Sequence, residues 1–205
     1  MHMASLTSPR SRQAAPGLTR GFTLLELLVT MAILAIVLAI GVPSFRYIIY
    51  SSRISNEVNA LVGSLQYARG EAIKRGQSVA VCASSDGATC SGATSWVNGW
   101  LVFVDVNGST TQDTGEPVIQ VQAAYSGGDS FSTSTTPPNG SNNGMFVYNR
   151  EGLLTYPGGN SVVTLKPANA GTSTNWTRCL QISRLGQLTI FTGGQTVTAT
   201  NSTCQ

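Results

Sequence analysis

One carboxylate, Glu26, stands inside an otherwise uncharged, apolar run that opens at Phe22 and lasts to Val42. An unpaired carboxylate in lipid costs about 2.5–3.5 kcal/mol on insertion scales, so such a residue marks function rather than anchorage. Its least costly partner is a cation at similar depth. Cleavage of the chain before Phe22 creates one, a new α-amino group four residues away. The other residues able to do chemistry are few. Cys82, Cys90, Cys179 and Cys204 form no CxxC pair, which argues against a zinc knuckle or thioredoxin-type site. Their even number beyond a membrane segment points to disulfides made in an oxidising compartment. Three pairings are possible. Closeness in sequence favours Cys82–Cys90 and Cys179–Cys204. Asp105, Asn107, Ser109, Asp113 and Glu116 offer oxygens as calcium would need them, but without EF-hand spacing. Asp-x-Asn-Gly is equally an ordinary hairpin turn. Asp129 and Glu151 are carboxylates that general acid–base work would use, yet nothing in their spacing supports a pair.

The sole histidine is His2. A chain processed before Phe22 has none, which excludes Ser-His-Asp, Cys-His and imidazole-based zinc chemistry. No phosphate-cradling glycine loop is present. The sequence names no catalytic residue and implies no cofactor and no metal.

These residues must be carried by distinct segments. Three of the twelve Lys/Arg (Arg10, Arg12 and Arg20) precede Phe22, and none of the nine Asp/Glu does, so the remainder carries nine of each. A chain with that balance has no global basic field to attract nucleic acid. The polar, basic residues 1–21 read as a leader. Residues 22–42 would span about 31 Å as a helix, the thickness of a bilayer core. Basic residues on its N-terminal side keep that end cytoplasmic and send the rest outward. Pro43 can kink a helix without ending it. Beyond it, Phe45, Ile48, Ile49, Val58, Leu61, Val62, Leu65, Ala68 and Ala72 recur at helical spacing. An amphipathic helix over residues 43–76 follows, its stripe forming core against a sheet and its stop at Gly76.

Residues 77–205 then read as a β-rich head. Strands are predicted near Ser78–Ala83, Trp100–Asp105, Val118–Ala123, Gly144–Asn149, Ser161–Lys166, Arg178–Ser183, Gln187–Phe191 and Gln195–Thr200. The Ser/Thr/Gly/Asn/Pro-rich stretch Ser126–Gly144 is predicted to be a long mobile loop.

The run Gly21-Phe22-Thr23-Leu24-Leu25-Glu26-Leu27-Leu28-Val29 closely resembles the processing signal of type IV prepilins and type II secretion pseudopilins. The resemblance implies cleavage between Gly21 and Phe22 by a prepilin peptidase and N-methylation of Phe22. It also implies that Glu26 pairs with the N-terminal amine of a neighbouring subunit during assembly, and that Pro43 is the helix-bending proline of this class. The segment from Trp96 to Val118 looks like the centre of the pseudopilin H/FimT/FimU group. The fold implied is α+β: a long N-terminal helix, transmembrane and then amphipathic, packed on an antiparallel, partly barrel-like head.

The function that follows is a FimU-like minor pilin, a priming subunit held in the bacterial inner membrane with a periplasmic head. Its partners would be other major and minor pilins, the prepilin peptidase, an inner-membrane assembly platform, and membrane lipid before assembly. A minor pseudopilin H of a type II secretion system shares every one of these features. A third reading, a FimT-like DNA receptor, is weakened by one stretch. Where that group carries Gly-Arg-x-Arg, this chain has Gly186-Gln187-Leu188-Thr189, without either guanidinium. Arg178 and Arg184 lie nearby, but two charges give only weak, salt-sensitive contact with DNA.

Overall fold

A computed structural model describes residues 21–133, 144–168, 174–198 and 200–205. Residues 1–20 of the predicted leader and positions 134–143 of the predicted loop lie outside the described residues. The chain divides into two compact units, Met1–Ser44 and Phe45–Gln205. Helix α1 spans Leu24–Arg75. Eleven strands follow among the described residues: β1 (Ser78–Ala83), β2 (Gly99–Asp105), β3 (Val118–Ala123), β4 (Ser130–Thr133), β5 (Met145–Tyr148), β6 (Leu154–Tyr156), β7 (Ser161–Lys166), β8 (Arg178–Ile182), β9 (Leu188–Thr192), β10 (Thr196–Val197) and β11 (Ser202–Thr203).

In the first unit, α1 opens with a side-chain cap. Thr23 Oγ1 accepts the Glu26 backbone N–H at 3.2 Å, and Thr23 C=O accepts Leu27 N–H at 3.1 Å. Thr-x-x-Glu is the sequence form of a capping box, and the carboxylate sits in the first turn, where the helix dipole favours negative charge. Leu24–Val42 is apolar enough to cross a bilayer, with a mean hydropathy of 2.7 and none of it buried against protein. The backbone is helical on both sides of Pro43.

In the second unit, Ile54, Val58, Leu61, Leu65, Ala68 and Ala72 are fully buried. Their alternating spacing of four and three places them on one face of the helix. The predicted stripe needs correction at its start. Phe45, Ile48 and Ile49 are 65%, 56% and 46% exposed, and the buried stripe begins at Ile54. The helix ends at Gly76, whose N–H bonds Ala72 C=O at 3.0 Å. Its φ of +65° is the left-handed conformation that glycine enters without steric penalty.

All strand pairs are antiparallel. One sheet runs β3-β2-β1-β5-β6, a second runs β4-β7-β8-β9, and β10–β11 form a small ribbon. Both sheets are open, so the partly barrel-like expectation becomes two sheets over one helix. Phe131, Leu165 and Leu180 from the second sheet join Val81, Trp100 and Phe146 from the first around α1. The central strands β1, β2 and β5 of the first sheet are buried on both faces, whereas its edge strand β3 is largely exposed. Val79, Val81, Trp100 and Val102 face the helix, while Ala80, Cys82, Leu101 and Phe103 pack in a separate cluster with Met145 and Val147. The period-2 alternation of side chains sorts these residues between the two faces. A buried side chain of this size contributes about 1.5–3 kcal/mol.

Three expectations for the head change. Ser130–Thr133, inside the predicted loop, is strand β4, held by pairing with β7 and by burial of Phe131. Leu154–Tyr156 and Ser202–Thr203 are short strands with too few residues to show a period. The predicted strand Gln195–Thr200 shrinks to Thr196–Val197.

Candidate functional site

The bond between Gly21 and Phe22 lies just ahead of α1, in exposed, non-helical chain, with Phe22 77% exposed. A peptide group there carries no helical hydrogen bonds that a peptidase would have to break. Glu26 follows one turn into the helix and is exposed. Among the described residues no side chain donates to its carboxylate. The front of the helix therefore presents an exposed, non-helical peptide bond and, one turn on, an exposed acid, with no nucleophile–base pair near them among the described residues.

Two disulfides staple the head: Cys82–Cys90, with a Cα–Cα separation of 5.6 Å, and Cys179–Cys204, at 5.8 Å. The first holds the β1–β2 loop onto the outer face of the first sheet. Gln112 ties that loop to the β2–β3 connection, accepting Cys90 N–H at 2.7 Å and donating to Ala88 C=O at 2.8 Å. Between these loops lies an open cavity of about 570 Å³, lined by residues such as Thr89, Thr111, Asp113, Glu116 and Met145.

The oxygens considered for calcium are turned inward on their own loop. Asp105 accepts Ser109 and Thr110 backbone N–H at 3.0 and 3.1 Å. Asp113 accepts from Asn107 Nδ2 (2.7 Å) and Ser109 Oγ (2.8 Å), which together hold its carboxyl below the usual range. Glu116 accepts Val106 and Asp113 N–H at 2.8 and 3.0 Å. The loop is thus closed by its own donors, and the described residues contain no metal-holding cluster of three or more His, Cys, Asp or Glu.

Asp129 and Glu151 are not brought together. Glu151 pairs with its neighbour Arg150 at 2.7 Å on an exposed turn. Asp129 is buried and accepts from Arg53 Nη2 at 2.5 Å and from Ala168 N–H at 2.9 Å. Its carboxylate partner is Glu57, only 2% exposed. Glu57 Oε1 and Asp129 Oδ2 have no donor among the described residues. One proton held by Glu57 satisfies both, because the protonated carboxyl donates to Asp129. Burial raises the Glu57 pKa to about 7, reinforced by the Asp129 charge and that hydrogen bond and opposed by Arg53. Sequence reading missed this trio. Glu57 gives one signal: three residues after Ile54 and four before Leu61, it lies on the buried stripe. Nothing local connects it to Asp129.

Arg178 opens β8 and Arg184 lies on the turn two residues past its end, so the strand alone spaces them by about 13 Å at strand rise. Arg178 spends Nη1 on the Asn175 and Thr177 carbonyls, at 3.1 and 2.9 Å. Arg184 is exposed on the β8–β9 turn. In that turn Gly186 has φ +73°, and its C=O accepts from Arg69 Nη1 at 3.2 Å. The two arginines do not form one phosphate-binding fork.

A capped, membrane-length helix that continues as the core of an open two-sheet head defines a pilin-like filament subunit. The family comparison agrees. The family model described as type II transport protein GspH matches residues 57–186, and the prokaryotic N-terminal methylation motif matches residues 18–42. The chain belongs to the GspH family, whose members are structural pilin and pseudopilin subunits rather than enzymes.

Among solved structures, the chain is similar to the type IV minor pilin FimU of Pseudomonas aeruginosa PAO1 in two crystal forms, at 18% identity in each. These matches cover 68% of this chain and 91% and 89% of FimU, with TM-scores of 0.47 and 0.48. It is also similar to the minor pseudopilin EpsH of the Vibrio cholerae type 2 secretion system, at 14% identity and a TM-score of 0.45, covering 69% of this chain and 98% of EpsH. Comparison with curated proteins finds no match.

Proposed function

We propose that this chain is a minor pilin of a type IV pilus, a structural subunit that primes filament assembly. The observation that carries the reading is a methylation motif over residues 18–42 joined in one chain to a head of the GspH family. The prepilin peptidase cleaves the exposed Gly21–Phe22 bond and methylates the new Phe22 amine. The methylated amine keeps its positive charge. The subunit waits in the bacterial inner membrane through Phe22–Val42, with its head in the periplasm, at the assembly platform. On extraction, Glu26 takes the amine of an adjacent pilin as its cation, which removes the lipid penalty on an unpaired carboxylate. Pro43, lacking a backbone N–H, is where the helix yields as it enters the filament.

Glu26→Val tests the mechanism. The variant should be cleaved at the normal rate and fail to enter filaments, measured by mature-form immunoblot and by its amount in sheared pili. Normal incorporation would refute the pairing.

The description of the matched family favours a second reading, a minor pseudopilin of a type II secretion system. A clean deletion separates the two. Loss of surface pili, restored by the wild-type gene, supports the pilus reading. Normal pili with lost secretion of enzymes supports the pseudopilus. A DNA-receptor role is disfavoured by the separation of Arg178 from Arg184.

A further inference from the structure

Residues 124–129, which join β3 to β4, are held on the head by little of their own backbone. Among the described residues, their one backbone bond is Tyr125 N–H to Val97 C=O, at 3.0 Å. Side chains supply the other contacts. The Tyr125 ring meets Trp100 with centroids 5.8 Å apart at a 42° tilt. Gly127 lies against the Arg53 guanidinium, so close that a Cβ there would come within 2.8 Å of Arg53 Cζ. Asp129 is the only one of the six residues that is fully buried.

The helix beneath this segment is far better fixed. Glu57 stands among Ile54, Val58 and Leu61, all buried in the core, so it cannot move away without unpacking α1. Arg53 lies four residues earlier on the same helix, and its side chain keeps 30% exposure. It bonds Asp129, yet four residues is also the spacing at which a guanidinium and a carboxylate meet on one helix. One cation is thus placed between two acids, either of which it can pair. The groups packed around them add no second compensating charge. The Tyr50 ring lies 5.4 Å from the Arg53 guanidinium. Burial, and then the Glu57 charge, push the Tyr125 hydroxyl up to about 12, so it stays neutral. Past β7 the contact is the Ala168 N–H, 2.9 Å from Asp129 Oδ1, while Lys166, opposite Ser130 in the β4–β7 pair, is exposed.

We infer that Glu57, Arg53 and Asp129 form a proton-operated latch: while Glu57 is protonated it donates to Asp129 and residues 124–129 stay seated on α1, and once that proton leaves, Glu57 takes the Arg53 guanidinium and the segment comes free. Charge balance drives the exchange. Two ionised carboxylates facing one guanidinium leave a buried negative charge uncompensated, which is costly. Glu57 Oε1 and Asp129 Oδ2, both buried and without another donor among the described residues, mark where the shared proton sits. Asp129 is the acid able to withdraw, because its segment has one backbone bond to lose, whereas Glu57 is built into the helix.

The direction with pH follows from where the proton is held. Burial raises Glu57 above its ordinary value of 4.5, so the closed segment keeps a proton that the open one gives up. The latch is therefore fully closed in acid and opens as pH rises toward neutrality. All of its parts lie within the second unit, so it operates in the head whatever filament the chain enters.

The test is backbone amide relaxation by NMR on the full chain in detergent micelles, at pH 5 and pH 8. Order parameters over residues 126–129 should fall from the rigid value of about 0.85 to below about 0.6, while those of β1 and β2 stay rigid. The Ala168 amide proton should move upfield over the same range as it loses its carboxylate acceptor. Glu57→Gln donates to Asp129 as the protonated acid does and has no charge with which to draw Arg53 away. In that variant residues 126–129 should stay rigid at both pH values. Order parameters in the wild-type chain that do not change with pH overturn the latch. So does a loss of order that persists in Glu57→Gln, or one that β1 and β2 share, which would mean that the head loosens as a whole.

Discussion

Glu57→Gln should stabilise the head in alkaline solution and leave it nearly unchanged in acid. Glu57 sits in the core beside Asp129 and keeps its proton to about pH 7, against an ordinary value of 4.5. Between those values the folded chain holds a proton that the unfolded chain has released. The unfolded state binds fewer protons, so stability must fall as pH rises through this window. The full stability is present below pH 4.5, and the loss is complete above pH 7. A carboxyl moved that far corresponds to an upper bound of about 3 kcal/mol. Screening by nearby solvent and relaxation around a coupled pair reduce this to about 1–2 kcal/mol. Glutamine has the same shape, can donate to Asp129 as the protonated acid does, and does not titrate.

The assay is urea unfolding of the processed chain in detergent micelles, followed by emission from buried Trp96 and Trp100, at intervals from pH 5 to pH 9. The advantage of the glutamine variant should grow by about 1–2 kcal/mol between pH 5 and pH 8 and then level off. Glu71, held low by Arg75 and Lys74, and Glu151, held low by Arg150, lose their contributions only as pH falls through the acid range. They do so in both proteins, so the difference removes them. Parallel stability curves would refute the shared proton. An advantage that is largest in acid would reverse the sign on which the reasoning depends.

Other perturbations follow from the same contacts. Ser64→Ala strands the buried Trp100 indole N–H, whose 3.0 Å bond to Ser64 Oγ has no replacement, and should cost about 1–3 kcal/mol in the same unfolding assay. Removing Cys82–Cys90 by double alanine substitution opens a loop with a sequence separation of 8 and should cost about 2.5 kcal/mol, against about 3.5 kcal/mol for Cys179–Cys204, with a separation of 25. The reverse order would show that loop entropy does not set these values. Titration with duplex DNA should give no binding that survives physiological salt, and Arg178→Ala should change nothing, because its guanidinium is spent on two carbonyls. A binding loss caused by that substitution would restore the DNA reading.

Much of this molecule is legible along the chain because its signals are local. Residues 22–42 are predominantly apolar and uncharged except for Glu26, and spacings of three and four from Val58 to Ala72 fix the buried face of the helix. The helical stop is set by Gly76, which tolerates the left-handed turn. Strands Ser78–Ala83, Val118–Ala123 and Ser161–Lys166 follow from runs of β-branched and apolar residues between turn formers. Short sequence separations favour the cysteine pairs that the structure contains.

Tertiary structure decided what depends on which distant segments meet. Phe45, Ile48 and Ile49 continue the helical periodicity of the core, yet stay exposed; periodicity names a face, and only packing covers it. Ser130–Thr133 has the composition of a loop and becomes a strand through β7. Asp129, seventy-six positions from Arg53, is drawn into an ion pair, and Glu57 into proton sharing, by the loop that lays them on one another. Arg178 and Arg184 look adjacent in sequence, but an extended strand sets them far apart. In each case the residue's type and its near neighbours are the same in any fold, and its physical role is fixed only by a contact that chain order does not encode.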